Sequence, residues 1–166
     1  RSTSSLQMPP LFSDHMVLQQ GIPVPIWGTA APGERISVTL QGQEKSTVAE
    51  MNGAWAVRLA PMNASGNPAV LTVAGASKRL EYHDVLIGEV WLCSGQSNMQ
   101  SSFESLNIAH EVRGVSHPQI RITNGANWTQ CAEKHLLGFS CVGYYFGRKL
   151  REELKVPVGL INISQG

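Results

Sequence analysis

A chain of 166 residues has room for one domain or two small ones and can bury a core without a disulfide or metal staple. Thirteen Lys+Arg against twelve Asp+Glu leave a net charge of +1, with no basic block, which argues against a nucleic-acid or anionic-membrane surface as the main partner. Hydrophobic residues at 42% mark a globular chain. Charged residues make up only 15%, against about 25% in average domains, which leans towards a secreted or compartment-resident protein. The opening Arg1-Ser-Thr-Ser-Ser-Leu-Gln7 has no apolar run, so the expectation is a targeting segment removed or a chain excised from something larger.

The first half alternates short β-type runs with turn signals. The runs are Met16-Val-Leu18, Val24-Pro-Ile-Trp27, Ile36 to Leu40, Trp55 to Leu59 and Val70 to Val73. Pro32-Gly33-Glu34, Gln41-Gly42-Gln43, Asn52-Gly53 and Ser65-Gly66-Asn67-Pro68 separate them. Ile36-Ser-Val-Thr-Leu40 alternates apolar and polar side chains, as a half-buried strand does. Five or six strands at this spacing predict a small sandwich over 6–82, without a helix.

Beyond residue 83 the pattern changes. Val85 to Cys93 is a nearly continuous apolar strand of the parallel-sheet kind, too short to span a bilayer and interrupted by Glu89. A helix is expected from about Asn98 to Val112, a strand from Gln119 to Thr123, and a second helix from Phe139 to Leu154. That second helix would bury a stripe of Val142, Phe146, Leu150 and Leu154. Pro157 to Ile163 is a third strand. The pattern predicts the first half of an α/β doubly wound parallel sheet over 83–166, incomplete with three strands.

The chemistry sits at Cys93-Ser-Gly-Gln-Ser-Asn-Met99. A buried strand ends, Gly95 permits a turn, and a helix begins near Ser97, where ligands bind in open α/β sheets. A serine there can act as nucleophile beside helix N–H groups that hold an oxyanion. Ser97-Asn-Met-Gln100 is equally an S-x-x-Q capping box, a purely structural reading. Met99 in place of a second glycine disfavours a G-x-S-x-G elbow.

A nucleophilic serine needs a base and an orienting acid, and none is legible. The two aspartates, Asp14 and Asp84, are not followed by a histidine three residues on. Asp14-His15 reads as a turn, and His83-Asp84 opens the first parallel strand roughly 30 Å from Ser97. His110 and His117 read as surface residues. His135 stands four residues from Cys131, but two ligands do not make a metal site, so neither metal nor cofactor is expected. Cys93, Cys131 and Cys141 show no C-x-x-C spacing; Cys93 reads as a buried thiol, and a Cys131–Cys141 disulfide stays open. Sequons occur at Asn63, Asn127 and Asn162.

Leu11-Phe-Ser-Asp-His-Met-Val-Leu-Gln-Gln20, Val24-Pro-Ile-Trp-Gly28 and Ala31-Pro-Gly-Glu34 resemble the start of the sialate O-acetylesterase family. Asp84-Val-Leu-Ile-Gly-Glu-Val-Trp-Leu-Cys-Ser-Gly-Gln-Ser-Asn-Met99 is similar to that family's most specific block. Phe139-Ser-Cys-Val-Gly-Tyr-Tyr-Phe-Gly-Arg148 and Val156-Pro-Val-Gly-Leu-Ile-Asn162 follow in the family's order.

The resemblance implies a serine esterase of the SGNH, GDSL-like and flavodoxin-like kind behind an N-terminal β-domain, removing O-acetyl groups from sialic acids or related sugars. It makes Ser97 the nucleophile and assigns the oxyanion N–H groups to Ser97 and Gly166. Asp84, Glu89 and Asp14-His15 match structural family positions. Ser164-Gln165-Gly166 departs from the family's Ser-Trp-Gly, and the family's catalytic Asp and His and its oxyanion Asn lie beyond residue 166. A second chain or C-terminal region would then complete the site, with secreted, periplasmic or lysosomal placement. Two alternatives remain: a non-catalytic fragment or sugar- or partner-binding module, with Ser97 a helix cap and Trp27 or Trp55 a stacking surface, and an acetylesterase acting on plant polysaccharide.

Overall fold

The computed structural model describes residues 5–165. Strands β1 (Val17–Gln19), β2 (Val24–Thr29), β3 (Arg35–Leu40), β4 (Gln43–Val48), β5 (Ala54–Leu59) and β6 (Ser65–Ala74) lead into the long strand β7 (Arg79–Cys93). Helix α1 (Ser97–Gln100), a 3-10 turn (Ala109–Val112), β8 (Ser116–Thr123), β9 (Thr129–Ala132), α2 (Glu133–Leu136), α3 (Cys141–Leu154) and β10 (Val158–Asn162) follow. The class is the expected one, a β-rich N-terminal sandwich followed by a partial α/β unit on a parallel sheet.

In the first part β2 and β5 pair antiparallel and alternate buried and exposed residues. Their inward Val24, Ile26, Trp55, Val57 and Leu59 meet Ile36, Val38, Leu40, Leu71 and Val73 of the larger sheet in one hydrophobic cluster. Strand β4 carries no strand signal in its sequence. Its Gln-Glu-Lys-Ser-Thr-Val has no apolar alternation and lies largely exposed. A two-residue turn makes it: Gln41 at φ +48° and Gly42 at φ +77° give the type I′ geometry that folds β4 back on β3.

Strand β7 serves both parts. Its first portion pairs antiparallel with β6 up to Ile87, its middle pairs parallel with β1, and Glu89–Cys93 pair parallel with β10. The break in the strand is Asp84, at φ +55°. Gly88 allows β10 to arrive: a Cβ there would stand 1.9 Å from the Pro157 carbonyl oxygen. β10 lies between β7 and β8, parallel to both, while β9, unforeseen in the sequence, pairs antiparallel with β8. A second cluster gathers Cys93, Phe103, Ile120, Ile122, Leu136, Phe139, Tyr144, Val158 and Leu160 around α3.

Two helix expectations need correction. The predicted helix over 98–112 is one turn, α1, then loops and the 3-10 turn. Serine side chains compete for its backbone: Ser102 N–H donates to Ser105 Oγ, and Ser105 N–H donates to Ser102 Oγ. Helix α3 forms as expected, capped by Ser140 Oγ accepting from Gly143 N–H at 3.0 Å. Its expected apolar stripe, however, faces outward, with Val142, Phe146 and Leu154 exposed. The buried face is Cys141, Gly143, Tyr144 and Gly147, because glycines let the helix approach β10: a Cβ on Gly147 would lie 2.4 Å from Leu160 Cδ1.

Candidate active site

The parallel strands deliver three chain exits to one edge of the molecule. β7 ends at buried Cys93, and Ser94-Gly95-Gln96 turn into α1. Gly95 sits at φ +157°, and a Cβ on it would approach Met99 Cβ to 3.2 Å, so the turn is closed by a residue without a side chain. The exit of β10 runs alongside: Ile163 N–H donates to the Cys93 carbonyl at 3.0 Å, and Gln165 N–H to the Gly95 carbonyl at 3.2 Å. Asn162 ties that exit down. Its Oδ1 accepts from Ser164 N–H and Ser164 Oγ, and its Nδ2 donates to Asn124 Oδ1 at the exit of β8.

The capping box does not form. The residue at the N-cap of α1 is Gln96, it makes no side-chain cap bond, and Ser97 is the first residue inside the turn. Ser97 is exposed, and its hydroxyl has no hydrogen-bond partner among the described residues, so the fold gives this side chain no structural task. Gly166, the other expected oxyanion donor, lies outside the described residues. Between α1 and the exits of β8 and β10 opens a cleft of about 400 Å³ lined by Gln100, Asn124, Gly138, Asn162, Ile163, Ser164 and Gln165. Gln100 is three residues after Ser97, so the two share one side of α1.

The titratable groups gather elsewhere. Asp84 and His15 make an Asp–His pair at 2.6 Å, but at the amino end of the parallel strands. There it is held by Arg121, whose guanidinium donates to Asp84 Oδ1, the Asp84 carbonyl, the His15 carbonyl and the Pro118 carbonyl. Burial alone would raise the Asp84 carboxyl; the hydrogen bonds from His15, Arg121 and Gln130 and the Arg121 charge outweigh it and hold the group below its ordinary range. Glu89 accepts from Gln19 and Gln20, so these family positions are structural here. Asp14 Oδ1 accepts from His83 N–H. His117 contacts the Tyr144 hydroxyl at 3.3 Å, with its pKa lowered mainly by burial. His135 Nδ1 contacts the Gln130 carbonyl. The described residues hold no cluster of three metal-ligating side chains.

All three thiols are free and buried, which removes the Cys131–Cys141 pairing. Burial pushes the Cys131 thiol up to about 12 and raises Cys93 and Cys141, so none stands as a reactive thiolate near neutral pH. Trp55 fills the sandwich core; Trp27 is 40% exposed but packs edge-on against Phe12 at 4.8 Å.

No family model matches the chain. Curated relatives do: it is 33% identical to the sialate O-acetylesterases of Mus musculus and Homo sapiens, over 93% of its own length and 35% and 36% of theirs. The chain is similar to these sialate O-acetylesterases along nearly its whole length. It spans about a third of the length of these sialate O-acetylesterases. A crystal structure of a carbohydrate acetylesterase from Xanthomonas citri superposes with a TM-score of 0.88 at 31% identity, covering 97% of this chain and 40% of that one. Similarity to an acetylesterase thus holds in backbone geometry as well as in sequence. No described helix is long and apolar enough to cross a membrane.

Proposed function

We propose that this chain carries the nucleophile of a serine carbohydrate O-acetylesterase, an SGNH or GDSL-like enzyme that removes acetyl groups from sialic acids or related acetylated sugars. The observation that supports it best is Ser97, exposed on the first turn after the central parallel strand with a hydroxyl that caps nothing. In this reading Ser97 Oγ attacks the acetyl carbonyl carbon as a histidine takes its proton. The N–H groups of Ser97 and Gly166 hold the tetrahedral oxyanion. The sugar leaves with a proton returned by that histidine, and water hydrolyses the acetyl-serine.

The base comes from outside these residues. The Asp–His pair that the chain does contain, His15 and Asp84, is on the far end of β7, about 30 Å away. A C-terminal region or second polypeptide carrying the catalytic Asp and His completes the site. The substrate class suits a secreted, periplasmic or lysosomal setting, in keeping with a chain of only 15% charged residues.

The test is hydrolysis of 4-nitrophenyl acetate by this chain beside its Ser97→Ala variant, each with and without the remaining family sequence supplied on a second polypeptide. A rate that appears with the second polypeptide and falls at least about a hundredfold in Ser97→Ala is the expected result. An unchanged rate in Ser97→Ala would remove Ser97 from the chemistry.

A further inference from the structure

The turn that carries Ser97 does not hold itself in place. Helix α1 is four residues long, its N-cap makes no side-chain bond, and it buries none of its residues fully. A single helical turn has no stability of its own in water, because nucleating it costs more than its few bonds return. Within the turn Ser97 is tied locally: its carbonyl accepts from Ser101 N–H at 3.0 Å and from Ser101 Oγ at 2.9 Å. The hold on the turn as a whole comes from α3, which is distant in the chain.

Backbone and side chains both join the two helices. The first N–H groups of a helix have no partner inside it, and the N–H of Cys141, the first residue of α3, donates instead to the Ser101 carbonyl at 2.9 Å. Ser140, the N-cap of α3, is fully buried and uses its hydroxyl twice. It accepts from Gly143 N–H at 3.0 Å and donates to Met99 Sδ at 3.4 Å. Ser102 and Ser140 form an antiparallel bridge, and Met99 packs against the second hydrophobic cluster. A thioether is a weak acceptor, so the backbone bond from Cys141 carries the larger share. Just beyond α1, Phe103 is buried edge-on against Tyr144 of α3.

Resting on the esterase reading above, we propose that the N-terminus of α3 positions the nucleophile. The Cys141 N–H and the Ser140 hydroxyl act through Ser101 and Met99 to set where Ser97 Oγ stands; both are positioning groups and neither touches the reacting atoms. A misplacement of about 1 Å costs on the order of a hundredfold in rate. Release of α1 from α3 leaves the serine chemically intact but spreads its approach to the acetyl carbonyl over many geometries. The loss falls on the acetylation rate at saturating substrate and not on the half-saturating concentration, because α1 holds the reacting atom rather than the substrate.

The test is Cys141→Pro. Proline is favoured at the first position of a helix, and Ser140, at φ −55° and ψ 121°, already has the extended backbone that a residue before proline adopts. Helix α3 therefore stays intact while the N–H that holds Ser101 is gone. Cys141→Ala, which changes the side chain and keeps the N–H, is the reference. In the isotope-labelled chain, amide order parameters at Ser97, Asn98 and Met99 should fall in Cys141→Pro from about 0.85 to below about 0.6, with those of α3 unchanged. In the enzyme completed by the second polypeptide, single-turnover acetylation by 4-nitrophenyl acetate should slow at least about tenfold relative to Cys141→Ala, at an unchanged half-saturating concentration. Met99→Leu leaves α3 untouched and removes only the acceptor of Ser140; it should slow the same step about twofold. Unchanged order at residues 97–99 overturns the proposal, and an unchanged acetylation rate in either variant overturns the part that its contact carries. A wild-type rate that Ser97→Ala leaves unchanged fails the esterase reading instead, and the order parameters then decide the hold of α3 on the turn by themselves.

Discussion

Asp84 shows how one residue can hold two parts of a molecule in register. It takes a left-handed backbone conformation in the middle of a fifteen-residue strand, and its carboxylate meets His15 from the first part and Arg121 from the second. Arg121 is 2% exposed, so its charge is tolerable only because the carboxylate and three carbonyls surround it. Asp84→Ala leaves that charge buried with carbonyls alone and should cost about 3 kcal/mol in chemical denaturation. The pH dependence has a definite sign. Because the folded carboxyl sits below the ordinary value of about 3.9, its contribution is complete above that pH and is lost as the pH falls through the folded pKa. Wild type should therefore lose stability below about pH 4 more steeply than Asp84→Asn does. Parallel curves would mean that the carboxylate is not selectively stabilised in the fold.

Helix α3 illustrates the scale of elements. A stripe of Val142, Phe146, Leu150 and Leu154 has helical periodicity, yet the helix turns its glycines to the sheet instead. Close approach of the helix axis to β10 buries Tyr144 fully against Phe103 and leaves Phe146 resting edge-on against Trp91, itself 44% exposed. The consequence inverts the usual expectation for apolar and small residues. Phe146→Ser should cost under about 1 kcal/mol, as exposed substitutions do, whereas Gly147→Leu should cost about 3 kcal/mol by overpacking against Leu160. Urea midpoints of the two variants decide between the buried stripe and the buried glycines.

Across the whole molecule, two hydrophobic clusters meet along one strand. The first runs from Leu6 to Ile87 and takes in Trp128, and the second runs from Cys93 to Leu160. Strand β7 contributes Val85 and Ile87 to one cluster and Cys93 to the other. Trp128 and Ile161, from the second segment, pack into the first cluster. The two parts are expected to unfold as one cooperative unit. Hydrogen exchange should give amides of β3 and β10 the same opening free energy, and a β10 that opens well before β3 would show independent domains.

Much of this was legible in one dimension. Alternation in Ile36 to Leu40 and the apolar run from Val85 to Cys93 made β3 and β7 readable as strands, although Trp91 and Leu92 near the end of that run are exposed. The ordered motifs between Leu11 and Asn162 carried the resemblance. What escaped depends on partners distant in the chain. β4 has no hydrophobic pattern because its hydrogen bonds to β3 hold it. The helix expected over 98–112 yields to serine side chains that bond its backbone. The outward turn of α3 is decided by how closely glycine lets it approach Leu160, a steric fact that periodicity does not contain. The cleft, too, is made only when the exits of β7, β8 and β10 converge, because a parallel sheet brings residues 97, 124 and 162 to one edge. Local pattern determined β3, β7, β10 and α3 as elements; long-range packing alone decided which faces meet and that the exits of β8 and β10 open a cleft beside α1.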